Sequence, residues 1–178
     1  MSWRPMLETA LGTHRDDPTA RYFQLATIGL DDRPANRTVV FRGFRADSDG
    51  VLFTADARSR KVAEIARTPF AQACWYFPDT REQFRLAGTL SRADASLSAE
   101  VWRNLADPVR TQFTWPTPGA DWDDDSSFRS EPPDRSNPPG VFAVFILKVE
   151  TVDYLSLKAE PPLRLRFESA GESRRINP

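Results

Sequence analysis

This chain of 178 residues contains one cysteine, one histidine and eight glycines. The lone cysteine, Cys74, cannot close a disulfide within one chain, and its place in the apolar run Phe70–Phe77 predicts that it packs as a small hydrophobe. The lone histidine, His14, leaves no material for a histidine-dependent triad or a multi-histidine metal site. It is expected at the surface, and no metal is expected. Long hydrophobic runs are missing as well: nothing approaches the ~18 consecutive apolar residues of a membrane-spanning helix. The opening Met1-Ser2-Trp3-Arg4-Pro5 lacks the apolar stretch of a secretory signal. Charge of one sign is also missing. A net charge of −1 and a pI near 5.9 provide no global field for a polyanion, so no nucleic-acid or membrane-surface partner is expected. These absences together predict a reducing, cytoplasmic setting.

What is present suffices for one core. Hydrophobic residues make up 40% and charged residues 28%, and the length suits a single domain over 1–178 with its core within 20–168. Trp3, Met6, Leu7, Ala10 and Leu11 recur at helical spacing ahead of Asp16-Asp17-Pro18. Strands are predicted over 22–28, 37–42 and 51–54, with turns at Asp31-Asp32-Arg33-Pro34 and Asp47-Ser48-Asp49-Gly50. A helix follows over 59–66, with Ser59 placed to cap it and Pro69 to end it. Further strands are expected over 70–77 and 83–90, then a helix over 96–105 capped by Ser96 or Ser98 and closed by Pro108. The proline-rich, acidic stretch 116–139 reads as a long loop, kept for function or left mobile. Residues 140–157 form the longest β-type run, and 163–167 a short final strand. Strands in hairpin order that do not alternate with helices predict a mainly β fold with flanking helices, a small antiparallel barrel rather than an α/β sheet.

Three segments could carry chemistry. Arg37-Thr38-Val39-Val40-Phe41-Arg42 brackets a β-rich stretch with arginines, which either guard a strand edge or hold an anion; strict alternation sets the two on opposite faces. Ser59-Arg60-Lys61 puts two cations where a helix N-terminus already presents unsatisfied N–H groups. They oppose the macrodipole unless an anion binds, the alternative being a solvated basic first turn. Gln83, if it faces a barrel interior, offers donor and acceptor to the edge of a heteroaromatic ring.

In order, Ala26-Thr27-Ile28-Gly29, Pro34, Arg37 to Arg42, Phe53-Thr54, Ser59-Arg60-Lys61 and Gln83-Phe84-Arg85-Leu86-Ala87-Gly88 resemble the core of the pyridoxamine 5'-phosphate oxidase-like flavoproteins. The terminal Val152-Asp153-Tyr154-Leu155, Arg166-Phe167 and Arg175-Ile176-Asn177-Pro178 resemble that family's last strands more loosely. Gln112 to Gly119 is similar to a divergent branch of oxidase-like FMN-binding proteins. The resemblance implies an FMN-binding split β-barrel of Greek-key type. It implies a homodimer with the flavin at the subunit interface, and oxidoreductase activity on a small molecule. By that resemblance Arg37, Thr38, Val39, Val40 and Arg42 line the flavin, with Arg37 at its phosphate. Phe53 and Thr54 touch it from the next strand, Ser59, Arg60 and Lys61 clamp the phosphate, and Gln83 and Arg166 address the ring. Trp75, Tyr76 and Phe77 are candidates for the dimer surface or, equally, for the core.

Two departures bear on the substrate. The family's substrate-phosphate arginine falls at Asp107, and its Arg-x-His motif has become Leu163-Arg164-Leu165; a flavin-stacking tryptophan has become Leu155. A pyridoxamine phosphate substrate is therefore not implied. The competing reading is a non-catalytic barrel that stores flavin or binds haem.

Overall fold

The structure, a computed structural model, describes residues 2–122, 128, 131–168 and 172–178. Among these residues eight strands form one antiparallel sheet: β1 (Tyr22–Ile28), β2 (Pro34–Phe44), β3 (Val51–Asp56), β4 (Phe70–Phe77), β5 (Glu82–Arg92), β6 (Phe142–Ser156), β7 (Leu163–Phe167) and β8 (Ser173–Ile176). Their spatial order is β3-β2-β1-β4-β5-β6-β7-β8, and a further pairing of β3 with β6 closes the first six into a barrel. β4 returns to lie beside β1, the Greek-key arrangement. The mainly β barrel read from the sequence is the fold observed.

One strand makes closure possible. β6 runs for 15 residues, pairing through Phe142 to Leu147 with β3 and through Val152 to Ser156 with β7, with β5 alongside. Its first six residues are buried on both sides, because α3 (Ala95–Asn104) packs Val101 and Trp102 over the face opposite the barrel interior. β5 bends against it at a bulge between Ala87 and Gly88. A Cβ at Gly88 would stand 1.9 Å from the Lys148 carbonyl oxygen, so only glycine permits this approach.

Inward-facing residues are aromatic to an unusual degree. Trp75 lies with its ring centroid 5.0 Å from Phe23 and 5.1 Å from Phe41, and its indole N–H donates to the Ala20 carbonyl at 2.8 Å. α1 (Trp3–Thr13) closes one barrel end by adding Trp3, Leu7 and Ala10 to this core. α2 (Arg60–Arg67) lies beside β1, and α4 (Asp107–Thr111) follows α3 directly.

Several expectations need correcting. His14 is buried, not exposed: its Nδ1 bonds to the Ala10 carbonyl at 2.8 Å, and its ring packs on Phe77. Trp75 and Phe77 belong to the core, leaving only Tyr76 of that trio outside. Ser59 holds the N-cap position of α2, but its hydroxyl donates backwards to the Asp56 carbonyl at 2.6 Å rather than capping. The cap of α3 is Asp94, which accepts from the Leu97 N–H at 2.8 Å, so neither serine serves. Pro108 does not close α3; the helix ends at Asn104 and Pro108 starts α4, where a missing N–H costs nothing. The 163–167 strand is not the last, since β8 pairs with it. Of the stretch 116–139, Asp123-Asp124-Asp125 lies outside the described residues.

The packing around Trp75 sets a test of this core. Trp75→Ala should destabilise the protein by about 3–5 kcal/mol in urea unfolding, and a loss below about 1 kcal/mol would contradict a buried Trp75.

Candidate functional site

The β1–β2 turn, the start of β2 and the first turn of α2 enclose a groove of about 670 Å³ on the barrel's outer wall. Arg37, Ser59, Arg60, Lys61 and Glu64 line it, and Pro118-Gly119 of the long loop forms one side. A second groove of about 280 Å³ adjoins it and shares Thr38, Lys61 and Pro118. This one runs along Val40 and Arg42 to Thr54, Asp56, Phe113 and Trp115. The two form one elongated depression, cationic at one end and mixed apolar and polar at the other.

The cationic end is built from local chemistry. Helix α2 begins at Arg60; the Val62 N–H of its first turn donates to the Ser59 carbonyl at 2.9 Å, while those of Arg60 and Lys61 have no partner within the helix. Lys61 reaches back so that its ammonium donates to the Ser59 hydroxyl at 3.1 Å. Burial, and then the charge of Arg37, push the Lys61 amine below its ordinary value; Asp56 and Glu64 oppose the shift. A cation held in that state gains from any anion that enters. Arg37 points to the same end, its guanidinium paired with Glu64 at 2.5 Å and donating to the Leu25 carbonyl at 3.1 Å.

At the other end Arg42 is half-buried and donates to the Thr54 hydroxyl at 3.4 Å. Burial lowers its guanidinium pKa, and nearby Arg21 adds to the effect. Among the described residues it has no ion pair. Arg58 fixes the loop over this end, with one nitrogen donating to Asp56 at 2.6 Å and to the Trp115 carbonyl at 2.9 Å. Burial pushes the Asp56 carboxyl up, but the hydrogen bonds from Arg58 outweigh it and hold the group below its usual value.

The site residues expected from sequence therefore divide. Arg37, Thr38, Val39, Val40, Arg42, Thr54, Ser59, Arg60 and Lys61 line the depression. Alternation puts Arg37 on the parity of Val39 and Phe41, and Arg42 on that of Val40; both still reach the depression, one from each end. Phe53 is fully buried in the core and lines neither groove, whereas Thr54 lines the second one. Gln83 does not face the barrel interior: Phe84 and Leu86 do, which turns Gln83 outward beside Cys74. Burial raises the Cys74 thiol pKa, with Arg85 opposing; the residue is half-buried on that outer side. Arg166 pairs with Glu168 at 2.8 Å, and neither Arg166 nor Gln83 lines either groove. Glu64, Thr27 and Asp56 were not anticipated; Glu64 carried the one available signal, a carboxylate four residues after Arg60 on the same helix face.

An antiparallel barrel with an elongated groove, cationic at one end and mixed apolar and polar at the other, suits a phosphate-bearing cofactor with a flat ring. Comparison with known proteins narrows the class. The model of the family described as pyridoxamine 5'-phosphate oxidase, FMN-binding domain, matches residues 1–94. Pyridoxine/pyridoxamine 5'-phosphate oxidase 2 of Arabidopsis thaliana is 38% identical, over 99% of this chain and 96% of its own length. A pyridoxamine 5'-phosphate oxidase-related, FMN binding protein from Nostoc punctiforme superposes with a TM-score of 0.94 and 40% identity, covering 100% of this chain and 98% of that one. PhzG from Burkholderia lata shares the fold, with a TM-score of 0.82 at 20% identity, over 98% of this chain and 91% of its own. The chain belongs to the pyridoxamine 5'-phosphate oxidase family of FMN-binding proteins, and FMN is its cofactor.

The shifted lysine can be measured directly. The chain has three lysines, Lys61, Lys148 and Lys158, so acetylation across a pH series resolves each by peptide mass. Lys61 should reach half its limiting reactivity below the ordinary lysine value of 10.5; a midpoint at or above it would contradict the desolvated placement.

Proposed function

We propose that the chain is an FMN-dependent oxidoreductase acting on a small molecule, and that it works as a homodimer with the flavin at the subunit interface. The observation that carries this reading is the continuous depression, whose cationic end suits a phosphate and whose other end suits a flat ring. In the proposed arrangement Arg37, Arg60 and Lys61 hold the phosphate with Ser59 beside them, using charge-assisted contacts that arginine can make bidentate. Thr38, Val39, Val40, Arg42 and Thr54 border the ring. The flavin supplies hydride exchange; the protein supplies binding, orientation and electrostatics.

The dimer reading follows from which residues share the sheet's outer side. Directly paired residues in an antiparallel sheet lie on one face. Val40 pairs with Tyr22 and Thr38 with Gln24; Gln24 pairs in turn with Cys74. Tyr76 pairs with Gln83, Gln83 with Leu155, and Asp153 with Arg166. Gln83 and Arg166 are thus on the same outer side as the groove's own wall, several strands away. A second copy laid against this side would bring Gln83 and Arg166 of the partner subunit toward the ring. Exposed Tyr22, Ile28, Phe70 and Tyr76 give that side the apolar area an isologous interface needs.

A vitamin B6 phosphate is disfavoured as substrate, although the Arabidopsis relative bears such a name. Asp107, at the position of the family's substrate-phosphate arginine, is itself engaged by Arg110 and Arg135, and Arg164 is tied to Asp153 at 2.8 Å. Haem storage is disfavoured because buried His14, engaged with the Ala10 carbonyl and covered by Phe77, is the chain's one histidine.

The purified protein should be yellow, and a reductant such as NAD(P)H should bleach it with turnover once a substrate is found; stoichiometric bleaching without turnover would favour storage. Arg60→Ala with Lys61→Ala removes two contacts of about 1.5–3 kcal/mol each, so FMN affinity should fall at least about tenfold with folding retained. Unchanged FMN affinity would move the phosphate elsewhere. Light scattering should give a dimer mass for the FMN-loaded protein, and a monomer would count against the two-chain site.

A further inference from the structure

Helix α2 turns one carboxylate inward beneath its own cationic first turn. Glu64 is 1% exposed, a position that an ionised carboxylate tolerates only when paired and hydrogen-bonded. Its Oε2 accepts from the Thr27 hydroxyl at 2.7 Å and pairs with Arg37 Nη2 at 2.5 Å. Its Oε1 lies 3.4 Å from Arg60 Nε, one helical turn earlier. Thr27, itself buried, also accepts from Arg37 Nη1, so arginine, threonine and carboxylate form a closed cycle. Two of the three cations at the head of the groove are therefore held from behind by one group.

We infer that Glu64 is a positioning residue that presets Arg37 and Arg60 to receive a phosphate monoester dianion, an inference that rests on assigning this end of the groove to the FMN phosphate. The charges match: Arg37, Arg60 and Lys61 set against Glu64 leave two positive charges, and a phosphate monoester carries nearly two negative ones above its second ionisation near about pH 6. The geometry matches too. A free arginine loses rotamer freedom when it binds, whereas one already braced by a buried carboxylate has lost it on folding. At the mouth of the groove exposed Asp31 lies 3.8 Å from Arg60 Nη2, and Arg33 carries the opposite charge to Asp31, so the net balance is unchanged.

Counter-charge and positioning act on anion binding with opposite signs, which makes the inference testable. If Glu64 merely offset positive charge, Glu64→Gln would tighten FMN binding by adding a net positive charge to the groove. If it positions, the amide cannot accept from Arg37, Thr27 and Arg60 together, and binding weakens. Dissociation constants for FMN and riboflavin are measured by flavin fluorescence with the full chain, the parent beside Glu64→Gln and Thr27→Val. The ratio of the riboflavin constant to the FMN constant should fall at least fivefold in Glu64→Gln and at least twofold in Thr27→Val, with riboflavin binding within twofold of the parent. An unchanged or larger ratio in Glu64→Gln overturns the inference. Should that variant fail to fold, Thr27→Val, which leaves every charge in place, decides by its own threshold. A parent protein that does not distinguish FMN from riboflavin overturns instead the phosphate assignment beneath it.

Discussion

The pairing of β3 with β6 is the constraint from which the rest of the architecture follows. Without it the sheet would be open, with β3 as an edge presenting unpaired backbone groups. With it, the outer wall made by β2 and β3 acquires a fixed curvature, and the depression between that wall, α2 and the long loop keeps its shape. The bulge at Gly88 serves the same end: it lets β5 follow β6 around the bend while β6 passes from the barrel to the outer strands β7 and β8. The aromatic interior then fills a closed volume, and α1 seals it.

On that frame the site is a problem in electrostatics. Cations gathered at a helix N-terminus repel one another and oppose the helix dipole, and the protein stabilises them in two ways. Glu64 braces two of them from beneath and the Ser59 hydroxyl accepts from the third, while burial of Lys61 works against its charge. At the ring end the chain does the reverse, keeping Arg42 nearly unpartnered and tying Arg58 tightly to Asp56, so that one guanidinium faces the groove while the other fastens its loop.

Much of this was legible in the sequence because it rests on local pattern. Alternation marks β1, β2 and β4, and Ser59-Arg60-Lys61 announces a basic helix start whatever the surroundings. Two of the errors originate in long-range contact. His14 is buried because Phe77, far along the chain, covers it. Glu64 gains its meaning from Arg37 and Thr27 on other elements, which no spacing rule connects. Ser59 fails as a cap because its hydroxyl donates to the Asp56 carbonyl, and Ser96 because the Asp94 carboxylate accepts from the Leu97 N–H in its place. Gln83 and Trp75 are different: anchoring the alternation on Phe84 and Leu86, or on Ala73 and Phe77, would have assigned both to their correct sides.

The closing pair of strands also orders events in time. β3 is complete at Asp56, but its second neighbour is Phe142 to Leu147, so a chain emerging from the ribosome carries β3 half-paired until that distant strand is made. The residues at the cationic end of the depression are made early, and the strand that closes the wall behind its other end is made late. Contacts so distant in sequence form slowly. The depression thus takes its final shape only when the barrel has shut, and until then the chain is a set of hairpins waiting for its last long strand.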